Sequence, residues 1–226
     1  MVALHKTHNE STTGSGPETT GATLHKVSQY DFHTSLMGLG VNQSNSRMVV
    51  EMAKIKPGDK VLDVGCGSGN LTLTAKRYAA TSGSVHGIDA AREMINVARK
   101  KASRLRMDVI CHVGLIEKLP FPDANFDVVI SRLVIHHLPD DLKQRGFAEI
   151  FRVLKPGGLF FITDFTPPTN PILSHVVSAL VGHEMMTRSN VSAISPMLTA
   201  TGFVDVASGP TRSSLLAFVR GKKPRS

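Results

Sequence analysis

Carboxylates, a hydroxyl and imidazoles stand in this chain around three alternate glycines. Asp63 sits just before Gly65, Gly67 and Gly69, and Asp89 follows about 20 residues after the last of them. Alternate glycines remove Cβ atoms where a backbone must turn sharply and approach a ligand. The free N–H groups at the start of a following helix would face that ligand. A dinucleotide fingerprint places glycines at the first, third and sixth positions, but here the sixth is Asn70. A carboxylate before the loop would repel a pyrophosphate and suit a ligand carrying an ammonium or sulfonium charge. An acidic residue where Asp89 stands accepts hydrogen bonds from ribose hydroxyls in nucleotide folds. The same glycine pattern also serves a turn that holds no ligand.

The elements that must position these residues follow from periodicity. Residues 61–64 read as a buried strand and about 69–80 as the helix after the glycine turn. Residues 85–89 and 107–113 read as the second and third strands, with a helix over about 90–104 between them. The nearly all-apolar run 126–131 reads as a doubly covered parallel strand that ends on Ser131. A helix opens at Pro139 and Asp140, and Lys155-Pro156-Gly157-Gly158 stops it and turns into a fifth strand over 159–164. Strands alternating with helices at this spacing mean βαβ units and a mostly parallel sheet. Residues 172–186 and 190–201 suggest two more helices. Residues 203–208 and 214–220 read as a closing antiparallel hairpin linked through Gly209-Pro210. Upstream, a helix spans about 44–55. Residues 1–24, rich in Thr, Ser and Gly, read as a disordered tail, and 25–44 as an N-terminal lid segment. The main domain is then 45–221, with a lid insertion near 166–190.

Composition narrows the classes. The 226 residues suit one α/β domain, and hydrophobic content of 41% is ordinary for a soluble protein. No apolar run approaches the roughly 20 residues of a membrane span. Two cysteines, Cys66 and Cys111, make no disulfide framework, so a cytoplasmic setting is expected. The net charge of +8 raises the prior for an anionic partner. Much of the excess lies in Arg99, Lys100, Lys101, Arg104 and Arg106 and in a C-terminal run, Arg220, Lys222, Lys223 and Arg225.

Four segments together resemble the class I S-adenosylmethionine (SAM) methyltransferases, over about residues 45–165. Asp63-Val64-Gly65-Cys66-Gly67-Ser68-Gly69 is similar to motif I. His86-Gly87-Ile88-Asp89, then Met94, is similar to the ribose and adenine segment. Glu117-Lys118-Leu119-Pro120-Phe121, Asn125-Phe126-Asp127-Val128-Val129 and His136-His137-Leu138 resemble the central segment. Glu149 to Gly158 resembles the late helix-turn-strand segment. Within the family the similarity is to the small-molecule branch of ubiquinone/menaquinone-biosynthesis methyltransferases. It implies a Rossmann-like, doubly wound, mostly parallel seven-stranded sheet with an antiparallel last strand.

The resemblance also implies roles. Gly65, Cys66, Gly67 and Gly69 would line the methionyl end of SAM, with Asp63 near its amino group. Asp89, with Ala90 beside it, would hold the ribose, Met94 would pack on adenine, and Ser131 would border the sulfonium. Relatives carry Gly-Asp-Ala-Glu where this chain has Gly114-Leu115-Ile116-Glu117. Leu115 therefore replaces the usual acceptor for the adenine amino group, and the Ile116 backbone N–H would take part in reading the ring.

The implied reaction is in-line displacement of a methyl group from a sulfonium by a small, largely apolar acceptor. Aligning donor and acceptor and excluding water are then the main requirements. Tyr30, His33 and His137 are the candidates for moving an acceptor proton, although a histidine in such a place also serves structurally. No metal ligand set is expected. A nucleic-acid methyltransferase is the competing enzyme, but amino-methylating enzymes of this fold carry a polar-Pro-Pro-aromatic motif where this chain has Ser131-Arg132-Leu133. An arsenite-type enzyme needs more cysteines than two. A non-catalytic SAM-binding protein is the alternative from another class. Oligomeric state and acceptor identity are left open.

Overall fold

A computed structural model describes residues 41–166, 191–213 and 215–225. The tail, Tyr30, His33 and the helix expected over 172–186 lie outside the described residues. In chain order the elements are α1 (Val41–Met52), β1 (Lys60–Val64), α2 (Asn70–Ala79), β2 (Ser84–Asp89), α3 (Arg92–Arg104), β3 (Ile110–Val113) and β4 (Phe126–Arg132). A 3₁₀ turn (Ile135–His137), α4 (Asp140–Val153), β5 (Leu154–Phe165), α5 (Val191–Thr201), β6 (Val204–Pro210) and β7 (Leu216–Lys222) follow.

The strands form one seven-stranded sheet in the order β3-β2-β1-β4-β5-β7-β6. The first five pair in parallel, and β7 runs antiparallel to both β5 and β6. The expected sheet and its reversed last strand are therefore present. Strand order reverses between β1 and β4, which opens a crevice at their carboxyl ends. Alternate side chains fill two cores. Leu62, Val64, Val129, Phe160 and Ile162 pack with Phe147 and Ile150 of α4 and Leu198 of α5. Val61, Val85, Val128, Ile130 and Phe161 pack with Val49 and Val50 of α1 and Leu71 and Ala75 of α2.

Capping explains where the boundaries differ from the sequence reading. Lys54 adopts φ 54°, and the Ile55 N–H returns to the Val50 carbonyl, which ends α1 at Met52 rather than Ile55. Arg106 (φ 51°) closes α3 in the same way, and the Met107 N–H bonds the Ala102 carbonyl. Residues 107–109 thus belong to a helix exit, and β3 begins only at Ile110, not Met107. β5 starts at Leu154, pairs once with Phe126, and resumes beside Val128 at Leu159. The Lys155–Gly158 turn interrupts that ladder. The hairpin link is residues 211–215, not Gly209-Pro210, because Gly209 and Pro210 pair with Phe218 and Ala217.

The C-terminal basic run is not a free tail. Arg220 and Lys222 lie in β7, and Lys222 pairs with Asp205. Lys223 donates to the Arg152 and Leu154 carbonyls at the end of α4 and sits over the Phe151 ring. In the other basic cluster, Arg99 donates to the Cys111 carbonyl and Lys101 reaches Ser68 and Asn70. These four side chains hold the fold together as well as carrying charge.

One edge of the sheet carries a pH-sensitive bond. His86 on β2 and His112 on β3 face each other with ring nitrogens 3.1 Å apart and rings tilted by 10°. Phe121 and Phe126 pack edge-on against them. One nitrogen must donate and the other accept, so a doubly protonated pair loses the bond. Burial pushes both imidazoles below the usual histidine range. His112 and Lys60 add to this at His86, against Asp108, and Arg99 adds to it at His112. A base whose folded-state value is lowered stabilises fully above its unfolded value, near pH 6.5, and loses that contribution as pH falls through the folded value. Acidification from pH 7 to pH 5 should therefore lower the melting temperature. His112→Gln, which keeps a partner for His86 and cannot charge, should lose a few degrees less over that window. Equal losses in the two proteins would show that the pair does not titrate with unfolding.

Candidate cofactor and acceptor site

Asp63 is 1% exposed and lies near the carboxyl end of β1, beside the β1/β4 crevice. Its Oδ2 accepts the Thr72 hydroxyl at 2.6 Å from the first turns of α2. Its Oδ1 is buried and has no hydrogen-bond partner among the described residues. Burial raises the carboxyl from 3.8 to about 7, against the Thr72 hydrogen bond and the Arg132 charge. A buried acceptor with an open lone pair is costly when empty, and it marks where a cation would be held.

The glycine turn is held from below by β2. The Gly65 and Cys66 N–H groups both donate to the Ile88 carbonyl, at 2.8 and 3.0 Å. Gly65 has φ 71°, and a Cβ there would lie 2.3 Å from Val134 Cγ2. Gly69 has φ 83°, and its Cβ would meet Ala98 of α3 at 2.9 Å. Two of the three glycines are thus required by neighbouring protein, whatever ligand the turn accepts. The Cys66 thiol turns inward among Ile95, Ala98 and Cys111. Burial, with the Asp63 and Asp89 charges, pushes it well above its ordinary range. Cys66 therefore faces a ligand with its backbone only, and the thiol is inert.

Asp89 ends β2 as expected and has an added task. Its Oδ2 accepts the Gly67 N–H at 2.9 Å and its Oδ1 the Ala91 N–H at 2.8 Å at the start of α3. It fixes the turn and the chain's entry into α3, and each oxygen keeps capacity for a further hydrogen bond. Burial raises this carboxyl, against those two backbone bonds. Ala90 is half-buried beside it, and Met94 is 2% exposed in α3. Ile116 is buried, fills the space over Gly146 of α4 and belongs to the main core. Leu115 is half-buried and joins no core cluster. The loop that follows is tied to α4: Glu149 accepts the Leu119 N–H, and Arg152 reaches Asp123 and the Leu119 and Phe121 carbonyls.

At the end of β4, Ser131 is wholly buried and its hydroxyl donates to the Val64 carbonyl at 3.0 Å. It braces β1 against β4, and its oxygen is engaged within the sheet. Leu133 turns the chain at φ 58° and its N–H bonds the Thr163 carbonyl, and Val134 then comes over Gly65. His137 is half-buried, with its ring centre 3.9 Å from that of His136 and tilted by 45°. The imidazole with a fixed carboxylate partner is the neighbour, His136, which meets Asp164 at 2.5 Å. Sequence reasoning missed this pair, because Asp164 lies 28 residues away on another strand. It also missed the Thr163 hydroxyl, which is buried with no partner among the described residues on the sheet face that carries Phe161. Among the described residues no group of three or more His, Cys, Asp or Glu is placed to hold a metal, and no helix is long and apolar enough to cross a membrane.

Comparison with known proteins identifies the family. A family profile described as a methyltransferase domain matches residues 61–158. The demethylmenaquinone methyltransferase of Lactobacillus johnsonii is 34% identical over 146 residues, 64% of this chain and 59% of that protein. The ubiquinone/menaquinone biosynthesis C-methyltransferase UbiE of Vibrio cholerae is 31% identical over 197 residues, 81% of this chain and 74% of that protein. This chain thus spans well under two thirds of the first of these relatives and about three quarters of the second. The crystal structure of a SAM-dependent methyltransferase from Aquifex aeolicus superposes with a TM-score of 0.69 at 20% identity, covering 87% of this chain and 98% of that one. That likeness shows the fold.

The unmatched Asp63 oxygen has a measurable cost. An acid whose folded-state value is raised makes stability fall as pH climbs from its unfolded value, near 4, through about 7. Three units correspond to about 4 kcal/mol at pH 8, before any amide is substituted. Asp63→Asn removes the charge and leaves a neutral amide N–H₂ unpaired, at about 1–3 kcal/mol. The ligand-free variant should be more stable than the parent by about 1–3 kcal/mol at pH 8, with that advantage gone at pH 5. Equal destabilisation at both pH values in urea unfolding would show that Asp63 bears no uncompensated charge.

Proposed function

The chain belongs to the class I SAM-dependent methyltransferases, and from that premise we propose that it transfers a methyl group from SAM to a small, largely apolar acceptor. The observation that carries the reading is the open, buried Asp63 oxygen beside the glycine turn at the strand-order reversal. The donor set fits the cofactor. Asp63 would hold its ammonium, Gly65, Cys66, Gly67 and Gly69 would border its methionyl chain through backbone, and Asp89 with Ala90 would hold its ribose. The adenine would lie between Met94 and the Leu115-Ile116 backbone, and Ser131 would set the β1–β4 spacing under the sulfonium.

When bound, SAM supplies an activated methyl group and a neutral leaving group. The chain's part is alignment and exclusion of water. Tyr30, His33 and His137 remain proposed contributors on the acceptor side. The quinone-pathway names of the relatives support a quinol-type acceptor. The internal contacts of Arg99, Lys101, Lys222 and Lys223 supply a reason for basic charge that needs no nucleic acid. Two free buried thiols support work in the reducing cytoplasm.

Calorimetry with SAM, followed by mass analysis of products from 1,4-naphthoquinol, simple phenols and RNA, tests the reading. Micromolar SAM binding and a one-methyl shift on the naphthoquinol are expected. Absence of SAM binding refutes the cofactor assignment, and methylation of RNA alone refutes the acceptor class.

Leu115 offers a second test, because its side chain is half-buried and joins no core cluster. Leu115→Asp should tighten SAM by about tenfold, within the roughly 1–3 kcal/mol of one satisfied hydrogen bond, at nearly unchanged melting temperature. The gain should vanish for a cofactor analogue without the adenine amino group. A gain that persists with that analogue would place the adenine elsewhere.

A further inference from the structure

The short turn at Ile135–His137 leaves the carboxyl end of β4 and packs on β5. Its central residue, His136, is 6% exposed, and Asp164 at the carboxyl end of β5 is 2% exposed. Asp164 Oδ2 accepts the His136 backbone N–H at 3.0 Å. Asp164 Oδ1 meets His136 Nδ1 at 2.5 Å and accepts the Phe165 N–H at 2.8 Å. With a carboxylate as its partner, Nδ1 is the nitrogen that carries hydrogen, so Nε2 presents a lone pair. That Nε2 is buried and has no hydrogen-bond partner among the described residues. The backbone bond already ties the turn to Asp164, so the ring is not needed for that purpose. A bare acceptor in a buried place is unfavourable unless something comes to meet it. Both residues sit at the strand ends where an α/β sheet takes its ligands.

We propose that His136 is the general base of this site, with Nε2 taking the hydroxyl proton of a phenolic acceptor, and that Asp164 is the residue that positions its ring. The inference rests on the methyl-transfer reading and adds the acceptor's chemistry to it. The electron pair released by that deprotonation would form the new bond to the methyl carbon, at the oxygen directly or at the adjacent ring carbon, whose own hydrogen would then pass to the oxygen by tautomerisation. The carbon–sulfur bond would break with its pair left on sulfur, and the hydroxyl proton would move to Nε2. Asp164 then faces an imidazolium, which returns the proton to water after product leaves. Asp164 from β5 faces the ring, and so does His137 in the same turn, whose ring centre lies 3.9 Å away.

His136→Asn tests this, because an asparagine amide nitrogen takes the place of Nδ1 and can keep the bond to Asp164 while Nε2 is lost. Its unfolding and its SAM affinity should match the parent. With 1,4-naphthoquinol the turnover rate should fall by about 100-fold or more. With 4-nitrophenol, already largely ionised at pH 8, the fall should be only a few-fold. Independently of any acceptor, nitrogen NMR of the parent should show the Nδ1–H form of His136 at pH 8. Equal loss on both acceptors, no loss on either, or an Nε2–H ring overturns the proposal. A parent that binds SAM and methylates nothing removes the methyl-transfer reading and this inference together. A parent that methylates naphthoquinol as fast as its His136→Asn variant removes this inference alone.

Discussion

A carboxylate taken out of water at the end of a strand is the constraint around which this site is arranged. Asp63 is shut in by β1, β4 and α2, with one oxygen engaged by Thr72 and the other without a partner among the described residues. Such a group is tolerable because the fold around it is stiff: the two cores on either face of the sheet fix β1, and Ser131 locks β1 to β4. The unfavourable energy of the empty state is local, and a cationic ligand would reverse it. Affinity and strain are two views of one side chain.

The same economy of parts recurs at Asp89. One carboxylate sets the glycine turn, starts α3 and keeps lone pairs free for hydroxyl groups. Losing it would disturb three things at once, so its role in recognition cannot be separated from its role in folding. Glu149 and Arg152 act in a similar way on the loop after Ile116. They stand on the far helix and fasten the segment that borders the proposed adenine position.

Much of this was legible in the sequence. The period of apolar residues marks seven strands in the right order of type, and the three glycines with Asp63 and Asp89 point to the turn that the structure places at the strand-order reversal. What escaped was contact across long separations. His136 and Asp164 are ordinary residues until β4 and β5 lie side by side. Gly65 reads as room for a ligand until Val134 is seen filling the same space. Nothing in a pair of adjacent histidines says which ring turns inward to a carboxylate. Helix exits were misjudged where Lys54 and Arg106, not glycines, take the left-handed conformation. Local rules place glycine there, and tertiary packing overrides them.

The position of β7 has a consequence for how the chain reaches this state. β6 is made before β7, yet among the described strands its only partner is β7, which lies between it and β5. On a ribosome, β5 must therefore wait with an unpaired edge while α5 and β6 emerge. Parallel strands β1 to β5 can assemble early, but the sheet cannot close in the order in which it is written. For that interval an open edge rich in Phe and Ile, Leu159 to Ile162, is available to any other strand. The late arrival of seven residues decides whether the nascent domain closes on itself or on a neighbour.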